Sequence, residues 1–80
     1  MEQYLATFHT HLSALRTHRS LTAAGVEARM MPVPRAVSSS CGTCVGYTAE
    51  QEMLSCMDGD VESIYRSDGG KFYLLRTFDE

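Results

Sequence analysis

Residues 3–8, "QYLATF", alternate apolar and polar positions and carry two aromatic rings, which predicts a first strand. Thr10 then has the character of an N-cap. Leu12, Ala14, Leu15, Leu21 and Thr22 recur on one side of a helix over about 11–24, and Gly25 stands where a C-cap glycine belongs. "VEARMMPV" (26–33) reads as a second strand, with Pro32 and Pro34 ending its capacity to donate ladder hydrogen bonds. "TCVGY" (43–47) is a short third strand. Thr48-Ala-Glu-Gln51 has the capping-box pattern and predicts a second helix to about Met57. "VESIYR" (61–66) is a fourth strand, and "SDGG" is a hairpin turn into "KFYLLRTF" at about 71–78.

This order predicts an α+β fold, a ferredoxin-like βαββαβ two-layer sandwich with an extra C-terminal hairpin strand, in a single domain over 1–80. Such a sheet has strand order 4-1-3-2, with the first and second strands parallel, so their C-terminal ends share one edge. The loop after the second strand, holding Cys41, is therefore expected beside the start of the first helix, Thr10 and His11.

Composition narrows the function classes. The chain is 44% apolar and 21% charged, the balance of a globule large enough for one core. A net charge of −3 without a Lys/Arg stripe argues against nucleic acid, and no apolar run approaches the roughly 20 residues that span a bilayer. The opening "MEQYLATF" has an acid where a secretion signal places bases, which favours the cytoplasm. Three cysteines are an awkward number for a disulfide framework, so sulfur is expected to serve chemistry, metal or packing.

The chemistry gathers in "PVPRAVSSSCGTC", Pro32 to Cys44, where two prolines stiffen a segment that frames two thiols. Together with "TFHTHLSAL" at the first strand–helix junction, this loop resembles the selenium/sulfur (Se/S) carrier protein-like family of small bacterial and archaeal domains. The shared features are a Pro-x-Pro-Arg…Ser-Ser-x-Cys-Gly loop and a His at the head of the first helix. The likeness runs to about Arg66 and leaves out the terminal strand. It implies that Cys41 carries sulfur or selenium as a persulfide or selenosulfide, and it matches His11 and Arg35 to the family pattern. It also implies a desulfurase-like donor protein and an acceptor enzyme as partners. Cys44 stands where a small or aliphatic residue is more typical, and Cys56 has no counterpart.

The residues themselves fit such a thiol. A free cysteine has a pKa of about 8.5, and a fall of about 1.5 units makes the thiolate roughly half populated near pH 7. The helix N-terminus, His11 when protonated, and Arg35 would each favour that anion at Cys41. Ser38, Ser39, Ser40 and the Gly42 amide are short donors able to solvate a terminal S⁻ or Se⁻, and Gly42 lets the backbone bend. No general-base pair, carboxylate dyad or phosphate loop is present, so the chain reads as a carrier more than an enzyme, without a cofactor.

Other readings compete. Cys44 could act as a resolving thiol if a turn at Gly42 brings it near Cys41. In an extended segment their Cα atoms are roughly 10 Å apart, past the disulfide limit of about 7 Å. It could equally be a strand residue facing the core. Cys41, Cys44, His9 and His11 could converge as a Cys₂His₂ zinc knuckle. Cys56, among Met53, Leu54 and Met57, reads as packing, and His18 as a hydrogen-bonded core-edge histidine. Both phases of the strands carry apolar residues, so the open sheet face could be buried in a homodimer or a partner, as a binding or scaffold module would also require.

Overall fold

The computed structural model describes residues 1–78; the last two positions of the predicted 1–80 domain lie outside the described residues. The chain runs β1 (Glu2–Phe8), α1 (His11–Ala23), β2 (Glu27–Pro32), β3 (Thr43–Ala49), a 3-10 turn at Leu54–Cys56, β4 (Val61–Asp68) and β5 (Lys71–Thr77). It is an α+β fold with one antiparallel sheet in the order β2-β3-β1-β4-β5 and one helix packed on it. Because β1 and β2 each pair antiparallel with β3, they run in the same direction and end at the same edge. Among the described residues no helix is long and apolar enough to cross a membrane.

Helix α1 starts and stops on local chemistry. Thr10 is extended, at φ −137° and ψ 157°, and its Oγ1 accepts the Ser13 amide at 3.1 Å, which satisfies one of the orphan donors of the first turn. At the other end Gly25 takes φ +81°, the left-handed conformation a Cβ would disfavour. The Gly25 amide then reaches Thr22 O and the Val26 amide reaches Leu21 O, a Schellman closure.

The face of α1 that meets the sheet differs from the one expected. Ser13, Ala14, Thr17 and Leu21 are buried, whereas Leu12 is 53% exposed and Thr22 is also exposed. Thr17 lies inward because its hydroxyl holds the chain on the far side of the 3-10 turn. Thr17 Oγ1 accepts the Asp58 amide at 2.9 Å.

The second helix does not form, so the ferredoxin-like βαββαβ pattern is not completed. Thr48 and Ala49 instead extend β3, pairing with Gln3 and Glu2 on one side, while Thr48 also pairs with Glu27 on the other. A capping box is a local preference. Here it loses to a strand paired on both sides, with Val45, Tyr47 and Ala49 facing α1's side of the sheet. The following segment is fixed by tertiary contacts. Tyr47 donates its hydroxyl to Glu52 O at 2.6 Å, and Arg76 grips the Glu52 carboxylate at 2.7 and 3.2 Å. Cys56 packs against the core from the 3-10 turn, beside Met53 and Met57.

The sheet separates two apolar clusters. On the helical side Phe8, Leu21, Val45 and Ile64 are fully buried, each worth roughly 1.5–3 kcal/mol of transfer free energy. On the opposite side Leu5, Val37 and Cys44 form a smaller cluster with Met31, Val33, Tyr65 and Phe72. That second cluster exists because the segment after β2 folds back over the sheet. The open face is therefore half covered by the chain's own loop.

Candidate functional site

The loop from Val33 to Gly42 is closed at its base by the Val33 amide on Gly42 O, at 3.2 Å. Its first half is a turn, with the Val37 amide on Pro34 O at 3.0 Å, and Val37 is the anchor buried on Leu5 and Cys44. The second half, Ser38 to Cys41, reaches the edge where β1 ends. There the Ser39 hydroxyl donates to Phe8 O at 3.3 Å. The loop and the start of α1 are neighbours, as the parallel course of β1 and β2 implies. His11 Nδ1 and Thr43 Oγ1 pair at 3.2 Å across the same edge.

Glu62, which the sequence analysis passed over, is what holds the loop. Its carboxylate accepts the Ser40 amide at 3.1 Å and the Ser40 hydroxyl at 2.7 Å, and His9 Nδ1 lies 3.7 Å away. Thr7 pairs with Ser63 and Phe8 with Val61, so Glu62 is the extra residue of a β-bulge in β4. A bulge re-aims side chains, and this one turns a carboxylate toward the loop. A sequence signal existed: Val61 and Ile64, three apart, both belong to the helical-side core, which a regular two-residue alternation forbids.

Burial pushes the Glu62 carboxyl up, but the Ser40 hydroxyl and amide, with His9 beside them, outweigh it and hold the group below its ordinary value. Two of the expected donors for a sulfur anion, Ser39 and Ser40, are thus already used within the chain. Ser40 serves Glu62, Ser39 serves Phe8 O, and the Cys41 amide donates to Ser39 Oγ at 3.3 Å. Ser38 is exposed and makes no hydrogen bond among the described residues. Gly42 has negative φ, and a Cβ there would meet nothing within 4 Å, so no bend demands glycine at that position.

The three cysteines are all free and differ in setting. Cys41 is partly exposed at the end of the clamped loop. Cys44 is fully buried, with its sulfur 3.6 Å from Met31 O and 3.7 Å from Pro32 O. Burial pushes its thiol up to about 11, with Cys41 adding to the rise. Cys44 is a strand residue facing the covered half of the sheet.

The zinc arrangement fails for a related reason. His9 turns to Glu62, His11 to Thr43 and Cys44 inward, and among the described residues no group of three or more His, Cys, Asp or Glu side chains converges. His18 bonds Ala28 O at 3.2 Å, as a core-edge histidine would. Arg35, at the exposed tip of the Pro34–Val37 turn, has neither ion pair nor hydrogen bond among the described residues.

A family model described as "Putative Se/S carrier protein-like" matches residues 3–59, more than half of the chain, and the protein belongs to that family. The match takes in β1, α1, β2, the cysteine loop and β3. The chain is also 32% identical over 72 residues to the uncharacterized protein YtiA of Escherichia coli (strain K12), covering 88% of this chain and 85% of that protein. No solved structure matches.

Proposed function

We propose that this protein carries sulfur or selenium on Cys41, as a persulfide or selenosulfide, between a donor protein and an acceptor enzyme. The observation that carries the reading is the division of labour among the thiols. Cys41 alone ends a clamped loop at the sheet edge, whereas Cys44 is buried and Cys56, partly buried like Cys41, packs against the core from the 3-10 turn. Membership in a family described as Se/S carrier protein-like supports the same assignment.

In this reading the Cys41 thiolate attacks the outer sulfur of a donor persulfide, R–S–SH. A sulfur–sulfur bond forms to Cys41, the donor's own sulfur–sulfur bond breaks, and the donor leaves as R–S⁻ while the hydrogen stays on the transferred sulfur. No external oxidant is consumed. A donor R–S–SeH gives the selenosulfide by the same exchange. Delivery reverses it: an acceptor nucleophile takes the outer atom, and Cys41 returns as thiolate.

The protein's part is presentation. Glu62 holds Ser40 by its amide and hydroxyl, Ser39 links Phe8 O to the Cys41 amide, and His11 bonds Thr43 at the loop's exit. The chain is a carrier and not an enzyme in this account, and its chemistry requires a reducing compartment such as the cytoplasm.

Intact-mass spectrometry after incubation with a persulfide donor tests the proposal. The expected result is a gain of a single sulfur, reversed by dithiothreitol and absent in Cys41→Ser. An unchanged mass, or a gain that survives Cys41→Ser, overturns it.

A further inference from the structure

The open face of the sheet is a step. Its upper half is raised by the Pro34–Val37 turn, which covers Leu5 and Cys44. Its lower half is bare. There the register aligns Glu27, Thr48, Gln3, Ser67 and Phe72 in one row across all five strands. This row and Gly46 form a groove of about 350 Å³ with Glu27 and Arg29 on its rim. Gly46 has no side chain, and Met31 takes up that space, its Sδ 3.1 Å from where a Cβ would stand.

We infer that this stepped face is the interface of a homodimer, in which the Pro34–Val37 turn of one copy sits in the groove of the other. A raised half beside a recessed half is self-complementary under a two-fold axis that crosses the strands at the step, as an isologous contact requires. Charge fits the same axis. Arg35 at the tip of the turn and Glu27 at the rim of the groove are both exposed and without an ion partner among the described residues. The symmetry sets each Arg35 near the partner's Glu27, twice per dimer.

Arg29, on the same rim, opposes that pairing, and the raised half offers no acid to it. Phe72, partly exposed, is the apolar contact the groove offers to Pro34 and Ala36 of the partner's turn. Half of the face is already covered from within, so the contact is small. A dissociation constant on the order of 1–100 μM, that of a weak contact, is expected.

Sedimentation velocity or light scattering on the full chain, across concentration, tests the inference. Wild type passes from 8.9 kDa to twice that mass as concentration rises. Gln3→Arg, an exposed position on the groove floor, weakens association roughly tenfold by filling the groove with the charge of the incoming Arg35. Glu27→Arg and Arg35→Glu each weaken it, and the double variant restores it. Arg29→Gln tightens it. A wild-type chain that stays monomeric up to about ten times that concentration range, alone or bound to a different protein, overturns the inference. So does a dimer that ignores Gln3→Arg and the charge swap. None of these readouts involves sulfur, so the dimer and the carrier reading fail or stand separately.

Discussion

Glu62 accepts both the amide and the hydroxyl of Ser40, at 3.1 and 2.7 Å, so one carboxylate on a strand bulge fixes the residue immediately before Cys41. Glu62 belongs to no cysteine motif and lies 22 positions from its partner. The position of the Cys41 thiol thus depends on the fourth strand as much as on its own loop.

Removing that carboxylate should loosen the loop while leaving the sheet intact. Glu62→Gln keeps the volume and one acceptor but forfeits the charge, and should cost about 1 kcal/mol for partly exposed charge-assisted hydrogen bonds. Hydrogen exchange at residues 38–42 should accelerate more than exchange in β1 or β3. Uniform acceleration across the sheet would show that Glu62 supports the whole fold and not the loop.

The same contact carries a pH dependence of known sign. The carboxyl of Glu62 is depressed in the folded state, so its contribution is complete above the ordinary value of 4.5 and is lost as pH falls through the lower folded value. Asp58 acts in the same direction, its carboxyl lowered by the Ser13 hydroxyl first, against burial, with help from the Asp60 amide, Arg16 and the Gly59 amide. Urea midpoints measured from about pH 6 to pH 3 should therefore fall toward acid. Glu62→Gln should flatten part of that fall and leave the Asp58 part. An unchanged acid limb in the variant would remove Glu62 from the account.

Cys44 should behave as a core residue. Burial and a thiol pushed up to about 11 predict that an aromatic disulfide reagent leaves it unmodified at neutral pH in the native protein and labels it only in denaturant. Peptide mapping after brief labelling decides this, and native labelling of Cys44 ahead of Cys41 would contradict it.

The ends of α1 give two stability predictions independent of the loop. Thr10→Ala should lose about 1 kcal/mol through its cap, and Gly25→Ala about 1 kcal/mol or more because φ is +81°. Thermal denaturation checks both; a neutral Gly25→Ala would mean that the Schellman turn relaxes into another closure.

Local chemistry was legible in the sequence where local chemistry decides. Thr10 and Gly25 mark α1 within a residue of its ends, and the "SDGG" turn with Gly69 and Gly70 at positive φ marks the hairpin. The meeting of the Cys41 loop with the head of α1 followed from the direction of two strands. Thr48–Gln51 misled because a cap signal acts over four residues, whereas β3 is held by neighbours on both sides. Glu62 was marked only indirectly, by the three-residue spacing of Val61 and Ile64, because the bulge that aims it is a property of β4 against β1. The inward face of α1 was misjudged because Thr17 is buried with its hydroxyl accepting the Asp58 amide, and Ser13 lies on the same face.

Locating the transferred atom tests the central claim most directly. After loading from a persulfide donor, alkylation and peptide-level mass spectrometry should find the extra sulfur or selenium on the peptide containing Cys41, and its loss on transfer to an acceptor thiol. Finding it on Cys56, or spread over all three cysteines, would contradict the account.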